Sequence, residues 1–163
     1  MLSERVTTLH DAFASVNASF VETVERCPED AWANVCGQDG WSVAAVAHHI
    51  AHGHARGAEW IAIMTAGQPV RLTEDELNIQ NAEDARTFAA CTKADVLALN
   101  ERTAQTLVSV LCALSAEDLD RQAAFGPAGR AIFPVERIAG AISRHCAEHL
   151  ASIQAVVTAR RER

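Results

Sequence analysis

A chain of 163 residues is long enough to bury roughly two thirds of its unfolded surface, and it is expected to form one domain over residues 1–163. Its 14 basic and 21 acidic residues give a formal charge of −7, which does not attract phosphate backbones and argues against nucleic acid as a general partner. No apolar run approaches the roughly 20 residues of a membrane span, and eight Gly, four Pro and no Tyr beside abundant Ala, Leu, Val and Glu favour helices over a sheet.

The first stretch, Ser3 to Arg26, carries Val6, Leu9, Phe13, Val16, Phe20 and Val24 at spacings of three and four, the pattern of an amphipathic helix closed by Cys27-Pro28. A loop with Gly37, Asp39 and Gly40 leads to Trp41. Ser42 is the N-cap expected for a second helix running to about Ala66, where Gly67-Gln68-Pro69 stops it. The segment from Val70 to Cys91 is less regular, with short helical pieces expected around Glu74 to Ala90. Thr92 and Asp95 have the spacing of a capping box with Asp in place of Glu, and open a third long helix bearing Val96, Leu99, Thr103, Leu107, Val110 and Leu114. Phe125 to Arg130 reads as a turn or short hairpin, and Pro134 fits the first position of a last helix reaching Arg161. Four long helices of these lengths define an all-α four-helix bundle. The charged end Arg160 to Arg163 suits a helix C-terminus, where cations meet the negative end of the dipole, better than a binding patch.

Five cysteines, at 27, 36, 91, 112 and 146, form no Cys-x-x-Cys pair and no signal peptide precedes them, which is the usage of reduced thiols in a cytoplasmic protein. Cys146 follows His145 directly, but adjacent helical residues diverge by about 100°, so it is a poor co-ligand for anything His145 holds.

The chemistry sits in the histidines. On the last helix Ile138, Ile142, His145, His149, Ser152 and Val156 follow alternating steps of four and three, which places both imidazoles in the apolar stripe by register. Two buried rings must satisfy their nitrogens, and a shared metal, a water or a hydrogen-bonded pair would do so. The second helix offers His48, His49, His52 and His54. With His48 at 0°, the apolar face of Val43, Val46, Ile50, Gly53, Gly57, Trp60, Ile61 and Met64 centres near about 170°. His49 at about 100° and His54 at about 240° border that face, whereas His48 and His52 (about 40°) read as surface residues. Periodicity leaves His49 and His54 both open as the inward candidate. No His-Glu-x-x-His, Glu-x-x-His, Gly-x-Ser-x-Gly or phosphate-binding glycine loop occurs.

Trp41-Ser42-Val43, then His49-Ile50, Asn81-x-x-x-Ala85, Thr92 and finally His145-x-x-x-His149 resemble, in order and over essentially the whole chain, the signature of the DinB-like superfamily of metalloenzymes. That superfamily includes the N-terminal domain of mycothiol-dependent maleylpyruvate isomerase. The resemblance implies an up-down-down-up four-helix bundle and a divalent metal held by His49, His145 and His149, favouring His49 over His54. It also implies a small-molecule substrate and a homodimer. Ser152 stands where the family often has Gln, relatives of the isomerase use Glu where this chain has His145, and the isomerase's two-domain arrangement is not expected here, so its exact activity does not carry over.

Zn is the first expectation for three imidazoles, with Ni, Fe and Mn also compatible. The leading functional expectation is a transferase that uses a low-molecular-weight thiol, mycothiol or bacillithiol, against small electrophiles; the metal would lower the thiol pKa. The alternatives are a hydrolase using metal-bound water and a non-catalytic ligand-binding bundle. No residue is assigned as a separate general base.

Overall fold

The computed structural model describes residues 2–37 and 40–161. Asp39 lies outside them, as do the side chains of the charged end Arg160 to Arg163. Helix α1 (Glu4–Arg26) starts where the Ser3 hydroxyl accepts the Val6 N–H, and buries Val6, Phe13, Phe20 and Val24. A short α2 (Glu29–Trp32) and an antiparallel pair, β1 (Val35–Cys36) with β2 (Trp41–Ser42), lead into α3 (Val43–Thr65). The Ser42 hydroxyl caps α3 by accepting the Ala45 N–H at 3.1 Å. At the other end Gln68 N–H reaches Ile63 O and Gly67 N–H reaches Met64 O, the paired bonds of a Schellman motif. Gly67 supplies the left-handed φ of 73° that this stop requires.

Helix α4 (Glu74–Thr87) is continuous where short pieces were expected, because Thr73 and Glu76 form a reciprocal capping box at its start. Thr92 and Asp95 do the same for α5 (Lys93–Ala113). After α6 (Ala116–Asp120), β3 (Gln122–Phe125) and β4 (Ala131–Pro134) form an antiparallel hairpin, and α7 (Val135–Arg161) completes the chain. Pro134 is therefore the last residue of β4, paired with Gln122, and not the first residue of the helix. The hairpin holds it in extended backbone, which the proline φ also satisfies.

The four long helices α1, α3, α5 and α7 form an up-down-down-up bundle in which α3 packs on α5 and α7, and α1 packs on the same two. Phe20, Val24, Val43, Ile50, Val96 and Ile153 lie in one apolar cluster, and Phe13, Ile61, Met64, Leu107, Leu111 and Val135 in a second. Each such side chain contributes about 1.5–3 kcal/mol by leaving water. Between the helices, the Thr103 hydroxyl on α5 donates to Ala51 O on α3 at 2.7 Å. No described helix is long and apolar enough to cross a membrane.

Because α3 and α5 run in the same direction, the chain between them must travel back along the bundle. Helix α4 makes that return across α3 and covers the side of α3 that periodicity assigns to solvent. His48 is accordingly 8% exposed, its ring stacked on Phe88 with centroids 3.6 Å apart, which corrects the reading of His48 as a surface residue. His52 keeps partial exposure and meets Asp84 of α4 at 3.2 Å.

Candidate metal site and its cleft

Three rings converge between α3 and α7. His49, 8% exposed, projects from α3, and one turn of α7 presents His145 and His149 towards it. The Nε2 atoms of His49 and His145 are 3.0 Å apart, and one nitrogen from each of the three rings falls within 4.8 Å of the others. Ring centroids are separated by 5.2 Å (His49–His145), 4.9 Å (His49–His149) and 4.4 Å (His145–His149), all edge to face. Among the described residues this is the one grouping of three His, Cys, Asp or Glu side chains with such convergence. His54 stays apart from it.

The register on α7 is shifted from the sequence expectation. Its buried residues are Val135, Ile138, Ala139, Cys146, Leu150 and Ile153, so the core face runs beside the histidines and not through them. His149 is half-buried and His145 is exposed, at the rim of a cleft. A stripe of spacing three and four on a 27-residue helix fits two adjacent faces, and the bulk of Leu150 and Ile153 selects the neighbouring one. Cys146 is thereby buried, its thiol pushed up to about 12 by desolvation, and it takes no part in the three-ring cluster.

The donor set fits a divalent ion. Burial first, then the positive potential of His145, His149 and Arg56, lowers the His49 pKa to about 3, so its lone pair stays free of a proton. His145 is lowered as well, by desolvation and then by His149 and Arg56, although its outer edge meets solvent. Two nitrogens that share a tetrahedral zinc ion lie about 3.3 Å apart, within a few tenths of an ångström of the 3.0 Å between His49 and His145. Trp41 meets His49 edge to face, centroids 5.3 Å apart, and so helps to fix the ring.

From the rings a cleft of about 240 Å³ runs between α3, α4 and α7. Its walls are Ile50, Trp60, Leu77, Phe125, Ile138 and Ile142. Among the described residues no carboxylate lines it, and Arg56 and Asn81 are its polar side chains besides His49, His54 and His145. Glu59 and Glu148 are exposed outside it. His54, 1% exposed, lies on the cleft floor against Phe13, with neither ring nitrogen in hydrogen-bond geometry. Arg56 was not legible as a site residue. Its seven-residue offset from His49, two helical turns, is the signal that puts both on one face.

Comparison with solved structures bears on the fold. YfiT from Bacillus subtilis, titled a probable metal-dependent hydrolase with an unusual four-helix bundle topology, superposes with TM-score 0.74 at 20% identity, over 99% of this chain and 90% of that one. Mycothiol-dependent maleylpyruvate isomerase superposes with TM-score 0.74 at 11% identity, over 91% of this chain but 60% of its own, and a histidine-to-alanine mutant of it does so at 10% identity. No curated protein matches the chain. The DinB superfamily profile matches residues 12–153, spanning α3 and most of α7 with all three converging histidines, and the chain belongs to the DinB superfamily.

Proposed function

We propose that His49, His145 and His149 hold one divalent cation, zinc first, and that the protein is a thiol-dependent transferase acting on small electrophiles. The single observation that carries this reading is the convergence of three imidazole nitrogens within 4.8 Å at the rim of an apolar cleft. When bound, such an ion lowers the pKa of a thiol or water and polarises an electrophile. The rest falls to the chain. The three imidazoles act as neutral donors, and the cleft walls exclude water from the electrophile. Among the described residues no carboxylate lines the cleft to take a proton from water, which favours a nucleophile that ionises more readily, a thiol. That thiol is external. Cys146, which lines the cleft, is buried with its ionisation suppressed, so a small cosubstrate of the mycothiol or bacillithiol type supplies the sulfur.

The test has two stages. ICP-MS on tag-free protein should give near-stoichiometric metal in wild type and His48→Ala, and loss in His149→Ala. Metal-loaded protein is then assayed with a panel of thiols and electrophiles, where turnover no higher than that of His149→Ala rejects transferase chemistry. A second reading is hydrolysis, favoured by the near-complete overlap with YfiT. Turnover of an ester or amide without added thiol distinguishes it. Homodimerisation, which the family resemblance implies, is read from the mass measured by light scattering.

A further inference from the structure

Arg56 sits in an unusual setting for a guanidinium. Its side chain is 13% exposed and lines the apolar cleft. Of its five N–H donors, one makes a hydrogen bond, Nη1 to Asn81 Oδ1 at 2.7 Å. Asp84, the nearest carboxylate, stands 4.0 Å from Nη2, beyond hydrogen-bond reach, and is itself engaged by His52 at 3.2 Å. The other donors of Arg56 have no partner among the described residues and are not sealed from solvent, so they stay open to a ligand in the cleft. The Asn81 carbonyl accepts from Arg56, which leaves its amide group to donate from the same wall. Among the described residues no carboxylate lines the cleft, and Arg56 is the charged side chain in its wall.

We propose that the cleft binds a small carboxylate with an apolar, preferably aromatic, body, its carboxylate gripped by Arg56 and Asn81 and its body packed between Trp60, Phe125 and Ile142. The fork of a guanidinium matches the two oxygens of a carboxylate in parallel hydrogen bonds, a pairing stronger than a neutral one. Trp60 and Phe125 meet edge to face at 5.0 Å and together give the cleft an aromatic wall for a flat group. The 240 Å³ volume lies below the roughly 300–1,000 Å³ of sites for drug-sized ligands, so the occupant is a small metabolite. Along α3 the seven residues from His49 to Arg56 span about 10.5 Å. Trp60 lies four residues beyond Arg56 on α3, so the body of the acid fills the end of the cleft away from the three histidines. This inference rests on reading the cleft as the place where the small substrate lies, and it makes that substrate an acid.

Phenylacetate and its neutral isostere phenylacetamide test it, by NMR titration of the Trp60 indole signal in zinc-loaded and in EDTA-treated protein. Phenylacetate is expected to bind at least about tenfold more tightly, the value of a charge-assisted pair over a neutral one. That preference should fall to near unity in Arg56→Gln, weaken in Asn81→Leu, and persist in EDTA. Circular dichroism checks that the variants are folded; should Arg56→Gln fail, Arg56→Lys is expected to lose most of the preference because it keeps the charge without the fork. Equal binding of the two probes, no saturable binding of either, or a preference untouched by these substitutions overturns the proposal. So does a preference that disappears with EDTA, since the carboxylate would then sit on the metal. Absence of bound metal with the Arg56-dependent preference intact would instead reject the metal reading and leave the acid-binding cleft standing.

Discussion

His54 makes a quantitative test of how this bundle is held together. The ring is 1% exposed, and burial lowers its pKa from 6.5 to about 4. Asn100 beside it favours the protonated form, but the effect is smaller than the loss of water, and His145 adds to the lowering. The folded protein thus keeps His54 neutral while the unfolded chain takes up a proton near pH 6.5. The associated stability is complete above pH 6.5 and is lost as pH falls towards 4. At about 1.36 kcal/mol per pKa unit the full loss is about 3 kcal/mol, of which about 2 kcal/mol falls between pH 7.5 and 5. Urea unfolding of wild type and His54→Leu at pH 7.5, 6 and 5, both in EDTA, isolates this share from that of His49 and His145. The stability of the variant relative to wild type should rise by about 2 kcal/mol across that interval, or roughly 4–8 °C in Tm. Loss of the Phe13 contact shifts the variant by a constant and does not enter the difference. Parallel stability curves for the two proteins would refute the reasoning.

Other outcomes follow from single contacts. A Cβ on Gly126 would lie 2.2 Å from Leu72 O and 2.8 Å from Val70 O, both backbone atoms, so Gly126→Ala should cost at least about 2 kcal/mol in urea unfolding. Thr103→Val removes the bond to Ala51 O and should cost about 1 kcal/mol, with α5 and α3 still packed, as judged by near-UV circular dichroism. Zinc at about a hundredfold over its Kd should stabilise wild type by about 2.7 kcal/mol and leave the Tm of His149→Ala unchanged. An equal zinc response in both would place the ion elsewhere.

Much of the fold is written locally. Ser42 and Thr92 announce two helix starts because each side chain caps a backbone amide within four residues, and Gly67 announces a stop because only its left-handed backbone closes the Schellman motif. The apolar spacing of α1 translates directly into the burial of Val6, Phe13, Phe20 and Val24. What is decided at long range was not legible. His48 looks solvent-facing until α4 folds over it, and no pattern within α3 encodes that cover. On α7, spacing alone did not separate the face of Cys146 and Leu150 from that of His145, since only the shape of the neighbouring helices makes one face the core. Periodicity left His49 and His54 equivalent. The resemblance favoured His49, and in three dimensions His49 faces α7 while His54 sits on the cleft floor. Arg56 shares the face of His49 at two helical turns, but its role depends on Asn81, 25 residues later.

Two parallel helices in sequence succession oblige a chain to spend residues on a return journey. A 23-residue helix such as α3 is about 34 Å long, and the path from Thr65 to Lys93 has to cover most of that distance backwards. Here the return contributes Leu77 and Asn81 to the cleft. The segment least constrained by the core is therefore one that shapes what the cleft admits, while the three histidines belong to helices that packing holds in place. Descendants of this bundle can change diet by rewriting the return path and leave the three histidines, and the stability of the bundle, as they were.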